Sequence, residues 1–232
     1  MVILFLILSV LTGVILGSYF GKNQTFAKML LILSAGFLIT ITFNEVFPQV
    51  YEHDDHYIGL FVIAGVLLQM FLESLTKGFE HGHIHHHDDD EKHILPVALM
   101  VGLFIHAFIE GIPLANETNI ASPYLLGIVV HNIPISFVLG AFLFGKKAKP
   151  SAYIITALFA LSSPLGVILG KYFNPAWQPY FLALVGGIFI HISSVIIFES
   201  NKNHKMDWSK IILVIIGVAL AFSMHLLHDH HH

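Results

Sequence analysis

Two short stretches of this chain put metal-binding side chains where lipid-like residues dominate. Residues 106–111 read HAFIEG and residues 131–136 read HNIPIS, and both lie inside long apolar runs. His106 and Glu110 are four apart, so on a helix they project from one face, one turn from each other. Imidazole nitrogen and carboxylate oxygen are the donors left to a transition metal here, because the chain has no cysteine. An ionised carboxylate at bilayer depth costs about 2.5–3.5 kcal/mol on insertion scales. Glu110 therefore needs a partner, and either a cation shared with imidazole or a proton would serve. The helices that carry these groups are irregular by composition. Pro134 donates nothing to the carbonyl of Val130, and Gly111 and Pro113 loosen the chain just past Glu110. In a membrane such freed carbonyls are tolerated facing protein or a watery cavity, where they can add oxygen ligands.

The elements that must hold these residues are transmembrane helices. Of 232 residues, 56% are hydrophobic and 11% charged, with a mean hydropathy of +0.77. Soluble domains carry about 45–50% apolar and roughly 25% charged residues. A helix needs about 20 apolar residues to cross a bilayer. Eight runs have that character, at about 2–20, 27–47, 57–75, 94–115, 124–145, 152–170, 180–198 and 211–227. They use most of the chain, so residues 1–232 read as a single all-α transmembrane domain with no folded soluble unit. No positive cluster precedes the first run, which leads into a second, so it reads as a retained span. A net charge of −4 gives no reason to expect nucleic acid as a partner.

Lysines set the expected orientation, since arginine is absent. Ten of the eleven (22, 28, 77, 92, 146, 147, 149, 202, 205 and 210) fall in connections after spans one, three, five and seven. Only Lys171 falls on the opposite side. By the positive-inside rule those connections are cytoplasmic and both termini lie outside. The chain also repeats itself: GVILGSYF at 13–20 matches GVILGKYF at 166–173 in seven of eight positions. SAGFLITIT (34–42) and VGGIFIHIS (185–193) share a similar pattern of small and apolar residues. Spans one and six cross in opposite senses, so the expectation is an inverted repeat of three spans on each side of two central ones, 3+2+3.

Other polar residues have open readings. His191 in span seven is either a hydrogen-bonded core histidine or a ligand on the pathway. Glu45, near the outer end of span two, is a ligand, a gate or a solvated end group. Glu73, near the inner end of span three, is interfacial or lines an exit. The loop 76–93 is rich in imidazole and carboxylate, and His81, His83, His85, His86 and His87 could capture metal on the cytoplasmic side. A solvated linker is the alternative. His53, Asp54, Asp55 and His56 form either an outer cation funnel or an ordinary acidic loop. The terminal HLLHDHHH is assigned no role.

At these motifs the chain resembles the ZIP (ZRT/IRT-like) family of divalent metal transporters. That family carries HNxxEG in span four and HNxPEG in span five, whose side chains form an often binuclear metal site midway through the membrane. His106, Glu110 and Gly111 match the first pattern, and His131, Asn132 and Pro134 the second. GFLITITFNEVFP, SSPLGVILG and GGIFIHIS are similar to the family's spans two, six and seven. The resemblance implies eight spans, outside termini and the 3+2+3 arrangement. Four places depart from the pattern: Ala107 for asparagine, Ile135 and Ser136 for the Glu-Gly of span five, and Glu45 with Gln49 in span two. With one core carboxylate left, two adjacent dications would repel unanswered at low dielectric. The expectation is a single ion on His106, Glu110 and His131, with water or Asn132 completing the shell and Glu45 as a further carboxylate.

The expected function is transport of a divalent cation into the cytoplasm, the direction being what the resemblance implies. Zn²⁺ is the first choice, with Fe²⁺, Mn²⁺, Co²⁺, Ni²⁺ and Cd²⁺ as related substrates and no organic cofactor. The partners expected are the lipid bilayer and metal ions, with a homodimer as an open assembly. A bacterial or archaeal plasma membrane is the expected location. Two alternatives remain: a degenerate metal-binding sensor with little flux, and an intramembrane metal hydrolase. No HExxH occurs and Glu110 is not spare as a base if it ligates, so an enzyme is not expected.

Overall fold

The computed structural model describes residues 1–53, 55–76, 97–144, 150–199 and 208–229. The His-rich stretch with His81, His83, His85, His86 and His87, and also Asp54, lie outside the described residues. Eight long helices run through the rest: α1 (Val2–Phe20), α2 (Gln24–Tyr51), α3 (Ile58–Thr76), α4 (Val97–Gly111), α5 (Pro123–Leu143), α6 (Pro150–Gly170), α7 (Gln178–Glu199) and α8 (Trp208–Asp229). Seven have the length and hydropathy to cross a bilayer, while the apolar part of α8, Trp208–Met224, is shorter. The outer faces are greasy: Leu4, Leu8, Leu11 and Ile15 of α1 all point outward, while Leu6, Val10 and Val14 are buried. A helix apolar on both faces is what lipid, rather than water, selects. This is an all-α membrane protein.

Three local features come from single residues. Asn23 accepts the N–H of Phe26 at 3.0 Å and so starts α2. Within α2, Thr42–Val46 widens to a π-helical turn just before Pro48. Pro48 has no N–H for the carbonyl of Asn44 and its ring would crowd it, and the wider turn accommodates both. At the end of α4 the chain tightens into a 3₁₀ turn, Ile112–Asn116, around Pro113.

Helix pairs approach closely through glycine. On α1, a Cβ added at Gly17 would lie 2.0 Å from the carbonyl oxygen of Phe137 on α5. On α6, a Cβ at Gly166 would lie 2.0 Å from that of Phe108 on α4. Gly65 on α3 and Gly187 on α7 meet each other's helix backbones at Leu184 and Val62, and Gly36 on α2 and Gly217 on α8 do so at Val214 and Leu33. Without an aqueous hydrophobic effect between helices, such backbone proximity and the packing it permits hold a membrane bundle together.

Candidate metal centre

His106 and Glu110 sit one turn apart on α4, and α5 brings His131 to them. Ligand atoms from all three lie within 4.8 Å of one another. His106 Nε2 is 3.0 Å from Glu110 Oε1, and the two imidazole rings meet edge to face with centroids 6.0 Å apart. None of the three is more than 1% exposed. Neither oxygen of Glu110 receives a hydrogen bond among the described residues. A buried carboxylate in that condition is costly unless a cation or a proton joins it. In a tetrahedral zinc shell the ligand atoms stand roughly 3.3 Å apart, given Zn–N and Zn–O bonds of about 2.0–2.1 Å.

The local backbone explains why Glu110 holds its place. Beyond it the helix switches to 3₁₀ geometry at Pro113, which cannot donate to the carbonyl of Glu110. The hydroxyl of Tyr124, in the first turn of α5, donates to that carbonyl at 2.9 Å and ties the two site helices together. The carbonyl of Pro113 accepts from Gln178 Nε2 at 2.6 Å. Both carbonyls of this loosened stretch thus have protein partners.

Other expected residues fall into different settings. Asn132 is buried, and its amide nitrogen points to Ser9 Oγ on α1 at 3.5 Å. Glu45 is buried on the π-helical turn of α2 but does not join the three-residue group. Ile135 is 1% exposed within the hydrophobic core, and Ser136 lies under Gly13 of α1, where a Cβ would come within 2.5 Å of its own. Glu73 and His191 are brought together instead: Oε2 and Nε2 are 2.6 Å apart across α3 and α7. Between α2 and α3, His53 and Asp55 line a cavity of about 210 Å³ with Ile58, Ala176, Pro179 and Tyr180. The Tyr180 hydroxyl and the Tyr57 N–H both donate to the Asp55 carboxylate and hold it below the usual aspartate range.

One residue that the sequence reading passed over touches the site. Gln69 of α3 is fully buried, and its Oε1 lies 3.1 Å from Nδ1 of His106. The signal was a lone amide inside an apolar span, four residues before Glu73 on the same helix face.

Comparison with known proteins agrees with these motifs. The family model "ZIP Zinc transporter" matches residues 81–225, more than half of the chain. Zinc transporter ZupT of Chlorobium luteolum is 26% identical over 234 residues, covering 88% of each chain. Protein zntD of Dictyostelium discoideum is 27% identical over 166 residues, or 63% of this chain. This match spans only 24% of zntD, about a quarter of that relative's length. The chain belongs to the ZIP zinc transporter family.

Proposed function

We propose that this protein carries a divalent cation, Zn²⁺ first and Fe²⁺, Mn²⁺, Co²⁺, Ni²⁺ or Cd²⁺ as related substrates, across the membrane into the cytoplasm. One observation carries the reading: His106, Glu110 and His131 converge, fully buried, with ligand atoms within 4.8 Å. The three protein ligands would hold a single ion, and a fourth position left to water suits exchange better than a closed shell. The Asn132 amide nitrogen donates to Ser9 Oγ, so its oxygen is the atom that would share that fourth position with water. Glu45 stands as a further carboxylate on the route, beside a backbone turn of a kind often found at functional sites. Two imidazoles favour late transition metals over Mg²⁺ and Ca²⁺.

Alternating access would come from α1–α3 and α6–α8 as inverted units around α4 and α5, with both termini outside. The packing supports this. Gly13 and Gly166, at the same place in the matched octapeptides, play the same part on α5 and α4: an added Cβ would lie 2.4 Å from the Ile133 carbonyl oxygen and 2.0 Å from that of Phe108, respectively. Gly36 and Gly187, aligned in the second matched pair, do so on α8 and α3. A binding protein with little flux is favoured by two departures, Ala107 and Ile135 where the family carries asparagine and glutamate. Uptake of Zn²⁺ into proteoliposomes tests the proposal. Glu110→Ala and His131→Ala should reduce it to background, and unchanged uptake in both would overturn it. Equilibrium Zn²⁺ binding without uptake in the wild-type protein would decide for the sensor.

A further inference from the structure

Gln69 has no place in the ligand set, yet it is fully buried and faces His106 from a third helix. A buried amide in a membrane helix is costly unless its polar atoms are engaged, and this one is engaged at a ligand's second nitrogen. We propose that Gln69 is a positioning residue of the cation site: its amide oxygen selects which nitrogen of His106 binds the ion. The inference rests on the ligand set proposed above.

The chemistry is that of an imidazole with two distinct nitrogens. A neutral ring offers one lone pair and one N–H, and the partner of the N–H decides which atom ligates. Gln69 Oε1 is an acceptor, so Nδ1 carries the proton and donates to it over 3.1 Å. The lone pair then sits on Nε2, which is the atom 3.0 Å from Glu110 Oε1 and on the side of His131. The same contact stops the ring from turning about its Cβ–Cγ bond, keeping Nε2 aimed at the ion.

The choice of amide over carboxylate has its own consequence. A carboxylate at this position would accept the same hydrogen bond while raising the basicity of His106 and adding a negative charge beside the site. Both effects tighten the hold on a dication. Glutamine orients the ligand and leaves Glu110 as the only acid in the group, so the site can release what it binds.

The test is Zn²⁺ binding by the full-length protein in detergent, together with Zn²⁺ uptake by proteoliposomes. Gln69→Leu and Gln69→Met remove the acceptor at similar volume and should weaken binding by about 10–100-fold. Gln69→Glu keeps the acceptor and should bind at least as tightly as wild type, with uptake saturating at lower Zn²⁺ and a lower maximal rate. Histidine ¹⁵N spectra should show His106 as the Nδ1–H form in wild type and Gln69→Glu, and a mixture in Gln69→Leu. Wild-type binding by Gln69→Leu, or equal loss in all three variants, would overturn the positioning role; a Gln69→Glu maximal rate equal to wild type would overturn the role of neutrality. His106→Ala separates this failure from that of the site. If it alone abolishes binding, the ligand set stands without Gln69; if it changes nothing, both fall.

Discussion

His106–Glu110 and Glu73–His191 are both imidazole–carboxylate pairs within the helix bundle, and their surroundings differ. The first pair lies on one helix, one turn apart, at 3.0 Å, with neither residue more than 1% exposed and a third ligand alongside. The second joins two helices at 2.6 Å, with Glu73 25% and His191 14% exposed and no third histidine, aspartate or glutamate grouped with it among the described residues. Direct contact at 2.6 Å lets Glu73 and His191 satisfy each other, and partial exposure shares the cost with surroundings. Glu110 lacks such relief, since neither of its oxygens receives a hydrogen bond among the described residues, and an ion or a proton would supply what is missing. Residue type is the same in both places; under the proposed function, the pair whose partners leave a position open is the one that would hold the ion.

Substitutions can break that contrast, and the largest effect belongs to the closed group. Glu110→Gln or His131→Ala should abolish Zn²⁺ binding in calorimetric titration, exceeding the roughly 10–100-fold loss that an outer partner carries. Retained binding in either would erase the distinction. Glu73→Gln or His191→Ala should leave Zn²⁺ affinity and stoichiometry unchanged while lowering thermal stability by about 1–3 kcal/mol, the usual cost of stranding one partner. Loss of stoichiometry there would make the second pair a site as well.

Packing offers a subtler separation. Gly166→Ala pushes α6 against the Phe108 carbonyl of α4, the helix that carries His106 and Glu110. Gly187→Ala does the same to α3 at Val62. Each should cost about 1–3 kcal/mol in stability by overpacking, but Gly166→Ala should weaken Zn²⁺ binding more, because α4 carries two of the proposed ligands and α3 only their partner Gln69. The smallest effect lies at the cavity beside Asp55. Tyr180→Phe removes the strongest cause that holds Asp55 low, so its titration by NMR should rise toward the ordinary aspartate range. As a depressed carboxylate, Asp55 contributes stability above its unfolded pKa of about 3.9 and loses it as pH falls further. An unmoved titration would show that Tyr180 does not govern it.

Much of this was legible in the chain itself. Apolar runs near 20 residues announce the spans, and the repeated GVILG stretches place their glycines at equivalent helix contacts. The four-residue spacing of His106 and Glu110 announces a shared face, because that geometry is local to one helix. Contacts between helices were not legible. Gln69 against His106, Glu73 against His191 and Asn132 turned to Ser9 all depend on how helices distant in sequence rotate against each other. The π-helical turn at Thr42–Val46 was hidden for another reason: Pro48 predicts a disturbance but not whether the helix kinks, breaks or widens.

The most direct measurement is an anomalous-scattering map from crystals of the full chain soaked in Zn²⁺. The account expects one peak between α4 and α5, about 2.0–2.1 Å from His106 Nε2, a Glu110 oxygen and a His131 nitrogen. Two adjacent peaks there, or a peak only at Glu73 and His191, would contradict it.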